Sequence, residues 1–184
     1  FTKNFNTHTP MSMSYSYLGI NVRLQKFSDR RVRQALAHLI DVPKIIETIA
    51  YGYSVQVIGP VHPSKKAYNK DLAPYDFNPN KARELLAEAG WKDSNGNGTL
   101  DKMIDGTLTE FNIEFTYNSG SDGRKAVALM FQEEARKIGV TINVKAQEWS
   151  VYLDNQKNHR FEMYYGAWIG SPLPNDHKQI YHTE

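Results

Sequence analysis

The second half of the chain alternates between two apolar periodicities, and this pattern limits the possible fold more than any other feature. Apolar residues recur at every second position over about 111–117 and 140–147, which predicts two strands, and residues 161–168 are predicted to form a third. The segments between them, 122–138 and 150–158, have the spacing and start signals of helices. A β-α-β-α-β order favours parallel strands joined by right-handed crossovers. We therefore predict an α/β fold with a mixed, largely parallel sheet flanked by helices.

The first half adds one strand and three helices to this pattern. The strand is predicted over about 15–22, with a bulge near Gly19 because the alternation slips there. Apolar stripes predict helices over about 29–40, 42–51 and 79–89. Residues that commonly cap helices precede these and the later helices: Ser28, Asp41, Asn78, Ser121 and Ser150. His38 lies off the apolar stripe of its helix, so we expect it to be exposed.

Composition excludes several classes of function. The chain has 184 residues, a formal net charge of +2 and no cysteine. Without cysteine it cannot form disulfides, thiolate metal sites or a thiol nucleophile. A nearly neutral charge argues against a nucleic-acid-binding protein, which usually carries a basic stripe. The mean hydropathy is -0.58, and no apolar run is long enough to predict a membrane span.

The sequence also lacks the common catalytic motifs. It has no nucleophile elbow, no zinc-protease histidine pair, no phosphate-binding loop and no dinucleotide-binding glycine pattern. Residues 120–125 come nearest to a phosphate loop, but they lack its spacing, and Asp122 would repel a phosphate. We interpret that segment as the start of a helix. The catalytic inventory of the sequence is therefore poor, and none of its motifs requires a cofactor.

Residues 93–101 match the first nine positions of a calcium-binding loop. Oxygen-bearing side chains alternate along it, and a glycine stands at the sharp turn. The candidate calcium ligands are Asp93, Asn95, Asn97, Thr99 and Asp101. The bidentate glutamate of such loops is missing, because Ile104 stands at its position and Asp105 follows. Two interpretations stay open for residues 93–105: a loop that binds Ca²⁺, and a polar Asn-Gly turn without an ion.

Aromatic residues crowd the end of the last predicted strand. Tyr164, Tyr165 and Trp168 are followed by a Gly and Pro loop. In open α/β sheets, ligands bind beyond the carboxyl ends of the strands. Trp168 is therefore a candidate to present its indole face to a ligand cleft. The alternative is that Trp168 is an ordinary core residue.

Several segments, in order along the chain, resemble the motifs of one protein family. Residues 29–41, DRRVRQALAHLID, resemble the D-x-R-V-R-Q-A-L-x-x-A-I-D helix of family 5 extracellular solute-binding proteins. These are the oligopeptide, dipeptide and nickel receptors of ABC importers. Residues 17–21, YLGIN, are similar to the Y-L-G-F-N strand of the family. Further matching segments are 59–63, 75–91, 138–140, 148–149 and 167–168.

The resemblance implies a fold and a function. It implies one lobe of a two-lobed, type II periplasmic-binding-protein-like fold that closes around a solute. Family members are much longer than 184 residues, which implies a partial chain from the second large lobe. Residues 1–14 would then be a connector from the first lobe, and residues 15–184 part of the ligand-binding lobe. The implied function is the substrate-binding component of an ABC importer, which passes a peptide or similar small solute to a membrane permease.

The resemblance further implies a monomeric protein in the periplasm or outside the cytoplasmic membrane, lipid-anchored in its full-length form. The candidate ligand contacts are Trp168, Tyr165, Ser171, Gly59 and His62. Peptide-binding members are similar but carry an aspartate where Ser171 stands, and that aspartate binds the peptide α-amine. A serine hydroxyl cannot supply the charge-assisted bond that an ammonium prefers. Two other functions stay open: an enzyme or regulatory ligand-binding domain on the same scaffold, and a calcium-stabilised structural module.

Overall fold

The computed structural model describes residues 12–170, and it confirms the predicted α/β class. The elements in chain order are β1 (Tyr15–Ile20), α1 (Gln25–Ser28), α2 (Arg30–His38), α3 (Val42–Thr48), α4 (Pro79–Glu88), β2 (Asp101–Ile104), β3 (Thr107–Glu110), β4 (Asn112–Asn118), α5 (Asp122–Arg136), β5 (Thr141–Gln147), α6 (Trp149–Lys157) and β6 (Met163–Trp168). Every strand and helix predicted from the sequence is present; α1, β2 and β3 are additional. Within the described part of the chain, no helix has the length and apolar character needed to cross a membrane.

A four-stranded sheet in the order β1-β6-β4-β5 forms the centre of the fold. Strand β4 pairs in parallel with both β5 and β6, whereas β1 pairs antiparallel with β6. Helices α5 and α6 connect the parallel strands, as crossovers must. The last residues of β4, β5 and β6 therefore lie at one end of the sheet, which we call its carboxyl end. The amino end is the opposite one, where these three strands begin.

Helices α2, α4 and α5 pack against one face of the sheet and enclose the core. The fully buried side chains include Leu36, Leu86, Phe115, Phe131 and Met163. The rings of Phe115 in β4 and Phe131 in α5 meet edge to face, with centroids 6.0 Å apart. Helix α6 lies on the other face, where Tyr152 contacts Tyr164 of β6. The sheet thus has one fully covered face and one that α6 covers in part.

Side-chain caps begin most of the helices, but two of the predicted caps are wrong. The confirmed caps are Asp41, Asn78 and Ser121. Helix α2 is capped by Asp29 rather than Ser28, because Ser28 ends the preceding short helix. Helix α6 is capped by Glu148 rather than Ser150, whose backbone N–H donates to the Glu148 carboxylate. In both cases a carboxylate takes the capping position from a neighbouring hydroxyl.

Strand β1 pairs with β6 without the bulge predicted near Gly19. The register runs unbroken from Tyr15 opposite Trp168 to Ile20 opposite Met163. The predicted bulge was wrong because a break in the apolar alternation was interpreted as an extra, unpaired residue in the strand.

Two glycines face two tyrosine rings across the β1–β6 pair. Tyr17 lies opposite Gly166, and Tyr164 lies opposite Gly19. A Cβ atom added at either glycine would clash with the ring of the opposite tyrosine. Each ring therefore lies over the glycine of the neighbouring strand, which is the reason for a residue without a side chain at position 19.

The β2–β3 hairpin was not predicted from the sequence. Its turn is formed by Asp105 and Gly106, with φ values of 49° and 79°. Positive φ at both central residues is the requirement of a type I′ hairpin turn, and Asp-Gly is a preferred sequence for it. The Asp-Gly pair could have predicted this turn. It was missed because residues 93–105 were interpreted as a calcium-binding loop or a polar turn.

His38 is mostly buried, contrary to the prediction. Its side chain is 12% exposed, and its Nδ1 atom lies 3.1 Å from a carboxylate oxygen of Asp76. The ring also meets Tyr75 edge to face, at 5.2 Å between centroids. The segment before α4 folds back over α2 and covers the side of that helix on which His38 lies. Helical periodicity alone cannot show such a long-range contact.

Polar groups at the amino end of the sheet are paired with one another. Lys26 Nζ, on a side chain that is 14% exposed, donates to the Glu162 carboxylate and to the Asn112 carbonyl, at 2.6 Å each. The second Glu162 oxygen accepts the Glu114 N–H at 2.7 Å. Asn21 donates to two backbone carbonyls just before β6. These bonds tie α1 and the end of β1 to the starts of β4 and β6.

Candidate functional site

The carboxyl end of the sheet brings three strand ends together. Strand β4 ends at Asn118, β5 at Gln147 and β6 at Trp168. The Ser119 N–H donates to the Gln147 carbonyl at 2.7 Å, which joins the first two ends. Helices α5 and α6 begin shortly after β4 and β5, so their first turns also lie here. Parallel α/β sheets place their ligand sites in this position.

Two partly exposed tryptophans stand at the carboxyl end. Trp168, the last residue of β6, is 43% exposed, and Trp149, the first residue of α6, is 53% exposed. The exposure of Trp168 overturns the alternative that it is a core residue. Its role as a ligand contact stays a prediction. Large aromatic surfaces left open at strand ends are suited to contact a ligand or a second body.

A series of ring contacts runs from α6 to β1 on the partly covered face. Trp149 stacks on Tyr152 at 5.9 Å, Tyr152 meets Tyr164 edge to face at 6.3 Å, and Tyr164 meets Tyr17 edge to face at 5.8 Å. The hydroxyl oxygens of Tyr17 and Tyr164 are 3.1 Å apart. Trp168 shares this face with Tyr164 because alternate residues of a strand point the same way. We call these five residues the aromatic face.

Tyr165 lies on the opposite face of β6 from Trp168, so the structure does not bring these two predicted contacts together. The Tyr165 ring packs against the core, and the guanidinium carbon of Arg124 lies 5.5 Å from its centroid. Its backbone carbonyl accepts the hydroxyl of Tyr152. Tyr165 therefore supports Arg124, a residue of the first turn of α5.

Two titratable groups at this end, Tyr152 and Glu148, have pKa values shifted away from neutral pH. Burial raises the pKa of Tyr152 to about 12, so its hydroxyl stays protonated and donates. The pKa of Glu148 is lowered, because the Ser150 hydroxyl and the backbone N–H groups that it caps favour the carboxylate. Acid–base catalysis needs a group poised near the working pH. The arrangement supports binding instead.

Gly59 and His62 lie in the loop between α3 and α4. Within residues 12–170, no hydrogen bond or ring contact joins either of them to β6. His62 Nδ1 lies 2.7 Å from the Ser64 Oγ atom, which is a contact local to the loop. Gly59 has open space where a side chain would stand. Ser171 lies outside the described residues, and ligand binding by all three stays a prediction.

The candidate calcium loop is held together by its own hydrogen bonds. The Asp93 carboxylate accepts three backbone N–H groups of the turn, at 2.8–3.1 Å. Both oxygens of the buried Asp101 carboxylate accept from Ser94. Among residues 12–170, no group of three or more His, Asp or Glu side chains is arranged to hold a metal ion. Calcium binding stays a prediction for the candidate ligands Asp93, Asn95, Asn97, Thr99 and Asp101.

This loop lies at the amino end of the sheet. The Leu100 N–H donates to the Gly139 carbonyl, just before β5, and the Leu100 carbonyl accepts the Phe111 N–H, just before β4, each at 2.7 Å. The loop therefore stands at the far end of the sheet from Trp168, and an ion there would have a structural role.

Sequence reasoning did not select Arg124, Trp149 or Tyr152 as site residues. Arg124 lies in the first turn of the helix that follows β4, and Trp149 opens the helix that follows β5. Both positions come shortly after a strand end, so the rule that selected Trp168 would also have selected them. Tyr152 could have been found as the residue one helical turn after Trp149.

Comparisons with known proteins agree with this geometry. Residues 2–183 match the family described as bacterial extracellular solute-binding proteins, family 5 Middle. The chain is 34% identical to the oligopeptide-binding protein AppA of Bacillus subtilis (strain 168), over 98% of this chain and 33% of AppA. It is 28% identical to the dipeptide-binding protein of Escherichia coli (strain K12), over 91% of this chain and 29% of that protein. The chain thus spans about a third of the length of these relatives.

Solved structures show the same fold. AppA from Bacillus subtilis in complex with a nonapeptide superposes with a TM-score of 0.85, covering 94% of this chain and 34% of AppA at 34% identity. NikZ from Campylobacter jejuni in complex with Ni(L-His) superposes with a TM-score of 0.78, covering 94% of this chain and 33% of NikZ at 29% identity. The family match covers nearly all of the sequence, and its predicted motifs lie on the elements described. The chain belongs to family 5 of the bacterial extracellular solute-binding proteins.

Proposed function

We propose that the protein containing this chain is the substrate-binding component of an ABC importer and not an enzyme. One observation carries the proposal: in a chain of a solute-binding family, the carboxyl end of the sheet presents Trp149 and Trp168 to the surroundings. Aromatic side chains supply large apolar contact area for a ligand at a small entropic cost. Of the ionisable side chains found there, Glu148 caps α6 and Tyr152 is a fixed donor, which supports capture rather than chemistry.

This part of the protein forms one wall of the solute cleft. The proposal assigns residues 15–184 to one lobe and residues 1–14 to a connector, and a second lobe would close over the aromatic face. Support comes from the coverage, because the chain spans about a third of its relatives. One open wall buries too little of a small ligand for tight binding. Closure of two lobes would trap the solute and present it to the permease.

The proposed solute is a peptide or a similarly sized small molecule. AppA and the dipeptide-binding protein are named for peptides, whereas NikZ was solved with a nickel–histidine complex. Ser171 stands where the peptide-binding pattern has an aspartate, so amine recognition would need another group. The proposed partner is an ABC permease in the membrane. The receptor would be a monomer in the periplasm or outside the cytoplasmic membrane, lipid-anchored in its full-length form. Gly59, His62 and Ser171 are further proposed contacts of the solute.

The test is capture of solute by the intact protein. The protein is purified without denaturation, and the small molecules that leave it on unfolding are identified by mass spectrometry. A defined solute in near-stoichiometric amount is expected, and isothermal titration with that compound should restore binding. Turnover of the captured compound by the purified protein would contradict the proposal, as would absence of any retained or added solute across peptides and metal–amino acid complexes.

A further inference from the structure

The loop between α4 and β2 contains two asparagine–glycine pairs, Asn95-Gly96 and Asn97-Gly98. An asparagine followed by glycine is prone to deamidation, because glycine has no side chain to hinder its backbone nitrogen as it approaches the asparagine side chain. All four residues are exposed, and the two glycines have positive φ values of 74° and 85°. The same reactive sequence therefore occurs twice within one exposed loop.

Deamidation needs only these groups and water. The backbone nitrogen of the glycine gives its proton to solvent and attacks the Cγ atom of the asparagine, so that a nitrogen–Cγ bond closes a succinimide ring. The Cγ–Nδ2 bond breaks, and Nδ2 takes a proton from water and leaves as ammonia. Water then opens the ring at either carbonyl to give aspartate or isoaspartate. The reaction replaces a neutral amide by a carboxylate.

The structure holds the two attacking nitrogens in the same way. The Gly96 N–H donates to one oxygen of the Asp93 carboxylate at 2.8 Å, and the Gly98 N–H donates to the other at 2.9 Å. A carboxylate disfavours a second negative charge beside it, so Asp93 opposes the loss of the proton from either nitrogen. Each asparagine Oδ1 atom also accepts the backbone N–H of the residue two positions ahead, at 3.0 and 2.8 Å. The two sites are thus matched in the attacking nitrogen and in the carbonyl oxygen.

The two sites differ in the leaving nitrogen. Asn97 Nδ2 donates to a carboxylate oxygen of Glu110, the last residue of β3, at 2.8 Å. Among residues 12–170, the Nδ2 atom of Asn95 donates to no protein group. Ring closure makes Cγ tetrahedral and moves Nδ2 out of the amide plane, which would break the bond to Glu110. Because a hydrogen bond to a charged group is among the stronger ones in proteins, Glu110 should slow the reaction at Asn97. Asn95 lacks this restraint.

We propose that Asn95 is a deamidation site of the native protein and that Glu110 protects Asn97 from the same reaction. A carboxylate formed at position 95 would stand two residues from Asp93 and repel it, in the loop that Asp93 holds together. The loop lies at the amino end of the sheet, far from Trp168. The modification should therefore change the charge of the loop and leave solute binding unchanged.

Peptide mapping by mass spectrometry tests the proposal. The intact protein is incubated in mildly alkaline buffer with a calcium chelator, and the fraction of aspartate and isoaspartate at each position is followed over time. Asn95 should deamidate about tenfold faster than Asn97, as expected when one hydrogen bond to a charged group must break. In concentrated urea the two sites should react at similar rates, because only the folded chain holds Asn97 against Glu110.

Two variants of the intact protein make the result specific. Glu110→Ala frees the Asn97 amide, so it should raise the rate at Asn97 to that of Asn95 and leave the rate at Asn95 unchanged. Glu133→Ala removes an exposed glutamate of α5 that is paired with Arg136, and it should keep both rates of the wild type. Thermal melts confirm that each variant is folded.

Three results would overturn the proposal. The first is a native wild type in which Asn97 reacts as fast as Asn95 or faster. The second is a native Asn95 that stays unchanged while the urea-denatured chain reacts to completion. The third is a folded Glu110→Ala variant in which Asn97 still reacts as slowly as in the wild type, because the restraint would then come from another group.

Discussion

The two ends of the central sheet are built from the same strands but treat their polar groups in opposite ways. At the amino end, Lys26 and Glu162 pair with each other and also bond to the backbone of β4. At the carboxyl end, Arg124 has no carboxylate partner, and the buried Oδ1 atom of Asn118 has no donor among the described residues. Trp168 adds exposed apolar surface at the same end of the sheet.

This difference indicates that polar groups stabilise the fold at the amino end and are suited to bind a ligand at the carboxyl end. A buried polar group left without a partner costs about 1–3 kcal/mol, so a folded chain usually pairs it. At the amino end, that pairing holds α1 and two strands together. Groups left without protein partners are tolerated where a ligand can supply the missing bonds. The comparison predicts that amino-end substitutions change stability, whereas carboxyl-end substitutions change solute affinity.

The largest effect is expected from Lys26→Met at the amino end. The substitution leaves Glu162 without its cation, at a position where both side chains are mostly covered. Breaking a covered ion pair by removing one partner should lower the free energy of unfolding by about 2–3 kcal/mol. Urea denaturation of the wild type and variant measures this difference, and the affinity of the folded protein for its solute should not change.

A double variant serves as the control for this pair. Glu162→Gln keeps an oxygen that can accept the Glu114 N–H, so Lys26→Met combined with Glu162→Gln should lose less than the two single effects added together. A strictly additive double variant would show that the two charges do not stabilise each other. A large loss of solute affinity in Lys26→Met would break the division between the two ends.

Trp168→Ala tests the carboxyl end. Because the indole is partly exposed, its removal should change the free energy of unfolding by less than about 1 kcal/mol. Solute binding by the intact protein should weaken by about 1–3 kcal/mol through lost stacking and apolar burial. Titration calorimetry and denaturation of the same variant measure both quantities, with Ile169→Ala as a matched change at an exposed neighbour. Lost stability with unchanged affinity would reject Trp168 as a ligand contact.

The smallest effect is expected from Asp93→Ala, in the loop at the amino end. Asp93 is exposed but accepts three backbone N–H groups, so its removal should lower stability by about 1–2 kcal/mol in calcium-free buffer. Melting curves with calcium and with a chelator test the calcium prediction in the same experiment. Bound Ca²⁺ should raise the melting temperature of the wild type but not that of Asp93→Ala. A wild-type melt indifferent to both additions would contradict calcium binding and leave the hydrogen-bonding role intact.

Local patterns predicted most of the fold. The strands 111–117 and 140–147 were predicted because half-buried strands alternate, and the parallel order, with 161–168 as a third strand, followed from the helices between them. Predictions were wrong where two neighbouring residues could both cap a helix, or where a segment distant in sequence covered a residue. Ser28 lost the capping position to its neighbour Asp29, and the segment near Asp76 covered His38.

The candidate site was predicted less completely than the fold. Trp168 was selected by its place at a strand end, and its exposure agrees with that choice. Tyr165 was grouped with it by closeness in sequence, although a period of two puts residues three apart on opposite faces. Arg124 was missed although it lies shortly after the end of β4, and its position over the Tyr165 ring joins two elements that are distant in sequence. Sequence periodicity can locate the end of a sheet, but it cannot show which polar groups remain without a partner there.

The crossed packing of Tyr17 on Gly166 and Tyr164 on Gly19 has a consequence for how the chain folds. The two tyrosines are 147 positions apart, so β1 can join β6 only after a long loop has closed. Strands β4 and β5 are linked by one helix and meet at a much smaller entropic cost. We expect β1 to be added last. A shift of one residue at that step would turn both rings away from their glycines and move β1 side chains to the wrong face, so this packing selects the correct register as the sheet closes.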